Sequence, residues 1–510
     1  MIFINSRRPA SKDRGTIMVS WIDGLKSYSG LLATSQHDYG PHFRLAIAMQ
    51  AVLAVLGAAF LVMLFADGSY FSFVIAADQP WTLHWHRFPA RATAFLFTAA
   101  PVWLANKLFH MQGIPLVRLY SFVFSLVILL QLIAVYKLAG KNHRNLLLFP
   151  LLGYVLGPAL GYGFPSEMML SPGFFWICLF LLIQDKSNLI YFYMSETLLL
   201  FTHELSIILF SLIFVSYFYF INRKNIIHII YIVSLTCVWA YLKLSGSSSG
   251  GDGNIIYVLD PRRVLNNPTL WLVILLMGAG YFSARIGSAR VRIATFLSSA
   301  ILIFCIFIYA GFNFSNGRYD SARTVAAFAN LALGIVFLLG QMEKRRDASV
   351  LWRPVDRQRS ERSSRFLAAS SLIAVFLSSA IFLHQWNGIR DEVVESTNAG
   401  VGSGPLNMIL FEDLPGSDKL RTALERWGPG TSWTWPYAGI MVAPDYRPAQ
   451  IVLDRRSAFA FCERQRGVRL GDGTRIDPLI LAQIARFACS QPPPERHKGL
   501  LGRMREALFG

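Results

Sequence analysis

The chain has 510 residues, of which 54% are hydrophobic and only 15% are charged, and its formal net charge is +18. This apolar fraction excludes a soluble globular protein, and repeated apolar runs of roughly 18–25 residues predict a polytopic helical membrane protein. The basic residues lie in short loops between the apolar runs. They therefore indicate membrane orientation and contact with anionic headgroups, and we expect no nucleic acid as a partner.

Eleven of the apolar runs are predicted to span the membrane. The polar, basic segment before the first run predicts no cleavable signal peptide, so the first run is expected to act as the targeting signal. A further apolar stretch, 92–110, is interrupted by Pro101, Lys107 and His110, and we predict that it lies in the membrane interface. The predicted spans are approximately 45–66, 115–138, 145–162, 169–184, 188–203, 205–221, 226–243, 269–284, 293–311, 324–341 and 366–385.

The charges of the loops predict on which side of the membrane each loop lies. The loops expected inside are rich in Lys and Arg, above all the segment 342–365, and the opposite loops are poorer in both. We therefore predict a cytoplasmic N-terminus and, because the number of spans is odd, an exported C-terminus in a bacterial cytoplasmic (inner) membrane. The predicted regions are a cytoplasmic segment 1–44, a transmembrane domain 45–385 with a long first exported loop 67–114, and an exported domain 386–510.

The region 386–510 differs in composition from the rest of the chain. Gly/Pro turns, charges of both signs and short apolar runs such as 407–411 and 451–453 predict a small α+β domain packed on the membrane part. Cys462 and Cys489 lie in this region and are candidates for a disulfide. Its aromatic stretch, 427–437, is either an interaction face, a carbohydrate platform or the core of the domain.

Acidic residues at the exported ends of the predicted spans are the candidate catalytic residues. Asp67 follows the first span directly, Glu167 lies at the exported end of the third, and Glu204 lies at that of the fifth. An acid placed there is costly unless it has a function, and it serves either as a general base on a hydroxyl or as a ligand of a divalent cation. Two alternatives to a catalytic role are a solvated acid in a loop and a polar contact between helices. A polar contact between helices is also the alternative for Glu196, which lies nearer mid-membrane.

Basic residues at the same level are the candidates for binding substrate. Arg and His bind phosphate, and paired guanidiniums at headgroup height suit a lipid phosphate, although the same residues also serve as ordinary interface anchors. We see no third ligand beside the two histidines of the first loop and predict no metal site there. No nucleotide-binding loop occurs, so an activated group is expected from a lipid in the same membrane. The candidates are His84, His86, Arg87, His203, Arg262, Arg263 and Arg318.

This arrangement resembles the GT-C superfamily of integral-membrane glycosyltransferases. The matching features are a long exported loop that opens with Asp67 after the first span, the interfacial helix near 92–110, about eleven spans and an exported C-terminal domain. The resemblance implies transfer of a sugar from a polyprenyl-phosphate donor to a glycan or lipid acceptor. It implies Asp67 as base or cation ligand, and Arg262, Arg263 or Arg318 at the donor phosphate. Gly68 stands where several GT-C families have a second acid, which favours a base over a cation ligand.

Two other functions fit the same sequence. A transporter or flippase for a lipid-linked glycan would use Glu196, His203 and Glu204 as relays, although we find no internal repeat of the kind transporters show. A non-catalytic scaffold would bind a partner through its exported tail. The three hypotheses predict that different residues are essential. The transferase requires Asp67, the transporter requires Glu196, and the scaffold requires the region 386–510.

Overall fold

A computed structural model describes most of the chain, and within the described residues the protein is mostly helical, with one two-stranded sheet. The described residues are 37–79, 91–164, 166–184, 189–220, 226–245, 267–283, 286, 288–309, 314–345, 354–399, 406–455, 458, 461, 462, 470 and 474–491.

Thirteen helices precede the sheet in this part of the chain. They are α1 (Gly40–Ala59), α2 (Asp67–Ala76), α3 (Ala92–Phe109), α4 (Gly113–Ala139), α5 (Leu148–Tyr154, continued by a π turn Val155–Ala159), α6 (Ser171–Ile183), α7 (Leu189–Leu200), α8 (Ser206–Phe220), α9 (Ile226–Ser245), α10 (Pro268–Ser283), α11 (Ala289–Tyr309), α12 (Phe314–Arg345) and α13 (Pro354–Asn398).

The protein contains several helices that can cross a membrane. Among the described residues, five helical segments are long and apolar enough: Gly40–Ala59, Ala92–Phe109, Gly113–Ala139, Ala322–Met342 and Glu361–Asn398. Each of the eleven predicted spans overlaps an observed helix, but most of the others are shorter apolar helices of 10–17 residues. One of the five long segments, α3, is not among the predicted spans, because the sequence predicted an interfacial position for it. Its length is compatible with either placement.

Hydrogen bonds and ion pairs identify the two ends of the helical bundle. At one end, the Tyr39 amide donates to the Arg144 carbonyl at 3.3 Å, so the start of α1 meets the turn that follows α4. At the other end, the Trp386 indole donates to the Phe60 carbonyl at 2.8 Å, so the end of α1 meets α13. α1 and α4 pack along each other between these ends. We call the second end the Asp67 end.

The first predicted span, 45–66, is wrong at its C-terminal boundary. α1 ends at Ala59, and the chain then turns through Leu61 and Ala66, both of which have positive φ, before α2 begins at Asp67. Hydrogen bonds to other helices replace those lost where the helix ends, because Met63 donates its amide to Ser121 Oγ at 3.1 Å on α4. The apolar side chains of this turn stay buried in the protein, so hydropathy alone could not reveal the break.

The C-terminal region contains helices and a small two-stranded sheet, and the predicted boundary at 386 lies inside α13. α13 continues without interruption through that position to Asn398. Two strands, β1 (Asn407–Leu410) and β2 (Gln450–Leu453), then pair in parallel. Among the described residues, the α-helices of this unit include α14 (Lys419–Trp427), α15 (Trp435–Val442) and α16 (Pro478–Ser490). Both strands coincide with the short apolar runs that predicted them.

Cys462 and Cys489 form a disulfide with a Cα–Cα distance of 5.2 Å. It joins α16 to the segment after β2, across 27 residues of sequence.

Because a cross-link restricts the unfolded chain, we expect the Cys489→Ser variant to lose about 2–4 kcal/mol of stability in this unit. Thermal unfolding of the full-length protein in detergent measures the loss. Cys305→Ser, which removes an exposed free cysteine, should leave the midpoint unchanged. Equal midpoints for the two variants would show that the disulfide contributes nothing.

Candidate functional site

Three acids from distant parts of the sequence meet at the Asp67 end of the bundle. Asp67 is the first residue of α2, Glu167 is the first residue of a 3-10 turn before α6, and Glu204 lies in the turn between α7 and α8. All three are buried. These are the three residues that the sequence suggested as catalytic, and the structure brings them into one cluster.

Arg91 joins two of these acids. Its Nε lies 3.1 and 3.0 Å from the two carboxylate oxygens of Glu204, and its Nη1 lies 3.3 and 3.2 Å from those of Glu167. Burial alone would lower the pKa of Arg91, but the charges of Glu204 and Glu167 raise it above its ordinary value. The guanidinium therefore remains charged, and it is shared between two carboxylates that would otherwise repel each other.

Arg323 on α12 pairs with Asp67. Its Nη2 lies 3.1 Å from Asp67 Oδ2, and its guanidinium carbon lies 5.1 Å from the centre of the Phe164 ring. The charges of Asp67 and Arg91 also interact, so the two ion pairs belong to one site. We call Asp67, Arg91, Glu167, Glu204 and Arg323 the ion-pair cluster. Three carboxylates and two guanidiniums give it a net charge of −1.

His203 adds a neutral hydrogen-bond donor to the cluster. Its Nδ1 accepts a hydrogen bond from the Leu205 amide at 3.1 Å, so the ring hydrogen lies on Nε2. The distance of 3.6 Å from Nδ1 to Glu204 Oε2 is consequently a contact of a neutral ring and not an ion pair. Nε2 is buried and has no hydrogen-bond partner among the described residues. An acceptor atom of a substrate would satisfy it.

Backbone and hydroxyl contacts hold the chain segments of the cluster together. The Thr93 amide donates to the Phe201 carbonyl at 3.0 Å, which fixes the start of α3 beside the turn that carries Glu204. Ser171 Oγ and Ser206 Oγ lie 2.6 Å apart and join the starts of α6 and α8. These hydrogen bonds join the short segments that carry Arg91, Glu167 and Glu204, and they thereby fix the positions of the three residues.

Gly68 is required by the close approach of the backbone beside Asp67. A Cβ atom at this position would lie 2.4 Å from the Met63 carbonyl oxygen. A larger side chain therefore has no room at this position without a shift of the backbone. We expect Gly68→Ala to displace Asp67 and to lower stability by about 1–3 kcal/mol. Gly278→Ala is the control, because a Cβ there meets nothing within 4 Å and the substitution favours a helix. The midpoints of thermal unfolding are measured for both variants and for wild type. An unchanged midpoint for Gly68→Ala would contradict the predicted clash.

The C-terminal unit covers α2, the helix that begins with Asp67. Ser69 Oγ donates to the Thr434 carbonyl at 3.2 Å, and the Tyr70 ring lies 5.1 Å from that of Tyr437 and 5.5 Å from that of Trp433. Thr474 Oγ1 donates to the Ala76 carbonyl at 3.0 Å. The unit therefore packs directly on the helix that begins with Asp67.

The aromatic stretch of this unit is mainly a core. Trp427 and Tyr437 are fully buried and Trp435 is nearly so, while Trp433 is only partly buried. Trp427 packs against Trp386 of α13, with ring centres 5.0 Å apart. Of the alternatives that the sequence left open, burial of these three rings favours the core over an exposed carbohydrate platform.

The cluster is not arranged for a metal ion. Within the described residues, no group of three or more His, Cys, Asp or Glu side chains is placed to hold one. Each carboxylate of the cluster instead faces a guanidinium. The residues present do not fit the divalent cation that the sequence allowed, and no step below depends on one.

Several predicted substrate-binding residues cannot be placed in the cluster. His84, His86, Arg87, Arg262 and Arg263 lie outside the described residues. Arg318 lies in the first part of α12, and only its backbone is described. The substrate-binding residues chosen from the sequence did not include Arg91 and Arg323, which pair with the acids in the structure. Charge balance was the available signal, because three buried acids require cations at the same level.

No protein-family model, curated protein or solved structure is similar enough to this chain to indicate its family.

Proposed function

We propose that the protein is a GT-C-like membrane glycosyltransferase, which moves a sugar from a polyprenyl-phosphate donor to a hydroxyl of a glycan or lipid acceptor on the exported face. The proposal includes the eleven-span topology with the N-terminus inside and the C-terminus outside, in a bacterial inner membrane. The observation that carries it is the ion-pair cluster, in which a candidate base and two guanidiniums lie together at one end of an apolar helical bundle.

Asp67 is the general base in this proposal. The acceptor oxygen attacks the anomeric carbon, the bond from that carbon to the phosphate oxygen breaks, and the acceptor proton passes to the Asp67 carboxylate. A single displacement of this kind inverts the anomeric centre. Before the donor binds, Asp67 is paired with Arg323. A donor phosphate competes for that guanidinium, so donor binding would release Asp67 for the acceptor.

Arg91 stabilises the charge that develops on the departing lipid phosphate. Glu167 and Glu204, the other two catalytic candidates, keep Arg91 charged and hold it in place. His203 donates from Nε2 to a sugar oxygen. His84, His86, Arg87, Arg262, Arg263 and Arg318 remain proposed contacts of the donor phosphate and the lipid headgroup.

A transfer assay tests the proposal. Proteoliposomes that contain the purified full-length protein are supplied with radiolabelled polyprenyl-phosphate sugars and an extract of envelope glycans and lipids. We expect label to move from the polyprenyl lipid to an acceptor only when the protein is present, with inversion at the anomeric carbon. If every donor remains unconsumed while the protein stays folded, the glycosyltransferase proposal is wrong.

A transporter or flippase is the second candidate, and one observation favours it. Glu196 on α7 is fully buried, and neither carboxylate oxygen has a hydrogen-bond partner among the described residues. Buried acids in membrane helices commonly serve ion or proton pathways. The two candidates are separated by paired variants, since a transporter should lose function in Glu196→Gln and keep it in Asp67→Asn, whereas the transferase should show the reverse.

A further inference from the structure

Glu196 lies apart from the ion-pair cluster and has a different environment. It is on α7, in a helix of apolar and aromatic residues, and its exposed fraction is 0%. Asp67, Glu167 and Glu204 each face a guanidinium, but no described cation interacts with Glu196. Its two oxygens also lack hydrogen-bond donors in the described part of the chain.

The described groups around Glu196 come from four helices, α6 to α9, and are uncharged at neutral pH. Those that interact with it electrostatically are the Cys178 thiol of α6, the Tyr193 hydroxyl of α7 and the Tyr231 hydroxyl of α9. The Tyr231 hydroxyl donates to the Tyr193 carbonyl at 2.7 Å. Tyr193 and Tyr217 of α8 have their hydroxyls 3.4 Å apart, and the Tyr217 ring stacks on His228 at 3.4 Å. These groups are polar, but none offsets a negative charge.

An ionised carboxylate in this position would be buried with no counter-charge and no hydrogen bond from any of the described residues. The cost of removing such a group from water exceeds any stabilisation that neutral side chains provide, and buried groups avoid that cost by becoming neutral. A protonated carboxyl carries no charge, so burying it costs much less than burying the carboxylate.

We infer that Glu196 is a reversible proton-binding site in the interior of the helical bundle, and that it holds its proton at neutral pH. The ligand of this site is a proton, and the site is separate from the ion-pair cluster. The inference does not depend on the glycosyltransferase proposal, because it follows from the surroundings of Glu196 alone.

Infrared difference spectroscopy of the full-length protein in lipid nanodiscs tests this inference. A protonated carboxyl has a carbonyl stretch that a carboxylate lacks. The difference between wild type and Glu196→Gln at neutral pH should contain this band, shifted in D₂O, and no carboxylate bands. As the pH is raised, the band should disappear while carboxylate bands appear, and it should return when the pH is lowered.

Glu204→Gln is the matched control, because Glu204 is a buried acid of the same region that is paired with Arg91. Its difference spectrum at neutral pH should contain carboxylate bands only. Glu196→Gln should unfold at the same temperature as wild type, since it replaces a neutral group by a neutral group of the same shape. Glu196→Ala provides a second difference spectrum if the amide perturbs the helix. Carboxylate bands from Glu196 at neutral pH would overturn the inference, and so would a protonated band that never titrates in the folded protein.

Discussion

Asp67→Asn should reduce sugar transfer by about 10²–10⁴-fold, because the amide keeps the shape of the side chain but cannot accept the acceptor proton. The variant should still fold and insert, since its amide oxygen can accept from Arg323, which lies 3.1 Å from Oδ2 in the wild type. Untargeted mass spectrometry of lipids from cells that carry the variant should show accumulation of the unused polyprenyl-phosphate sugar. The mass of the accumulated lipid would also identify the class of sugar that it carries.

Asp78→Asn is the matched control for this prediction. Asp78 lies just beyond the other end of α2 and pairs with Lys107 and with the Trp103 indole, at 2.8 Å for the latter. It is an acid of the same segment with an evident structural partner, so its loss should leave transfer nearly unchanged. Undiminished transfer by Asp67→Asn, or equal losses in both variants, would contradict the role of Asp67 as base.

Arg91→Ala should have the largest effect on stability of any single substitution in the cluster. It leaves Glu167 and Glu204 buried together without their shared cation. Removing one partner of a buried ion pair costs on the order of 3–5 kcal/mol, because the remaining charge stays desolvated. The midpoint of thermal unfolding in detergent should fall accordingly, and transfer should be lost with it.

A second substitution separates this cause from a simple loss of packing. In an Arg91→Gln, Glu204→Gln double variant, one carboxylate has been neutralised, so stability should recover in part although the guanidinium is still missing. Arg447→Ala is the control, because the Arg447 side chain is largely exposed where it pairs with Asp477, and such pairs contribute about 0–1 kcal/mol. If Arg91→Ala unfolds at the wild-type temperature, the cluster is not held together by this ion pair.

The sequence was sufficient to predict that Asp67, Glu167 and Glu204 occupy the same level of the bundle. Apolar runs indicate where helices lie, and the alternating charges of the loops predict on which side their ends fall. The short runs around 407–411 and 451–453 likewise predicted both strands. These predictions depend on local patterns, which a single sequence contains.

The pairing of charges could not be predicted in the same way. Arg91 lies 76 residues from Glu167 and 113 from Glu204, and Arg323 lies 256 from Asp67. Contacts at such separations depend on how helices pack. The break after Ala59 has the same origin, because Ser121 and Trp386 supply hydrogen bonds that replace those of a continuous helix. Burial of Trp427 and Tyr437 was also undetermined, since an aromatic core and an aromatic platform have the same composition.

Binding of a lipid phosphate to the ion-pair cluster is tested most directly by native mass spectrometry of the full-length protein with undecaprenyl phosphate as the probe. Wild type and Asp67→Asn should both bind one molecule, because the acid is not needed for the phosphate. Arg323→Gln should bind about tenfold or more weakly, since it removes a charge-assisted hydrogen bond. If wild type does not bind the lipid, or if Arg323→Gln binds it equally well, the cluster is not the site of a polyprenyl-phosphate donor.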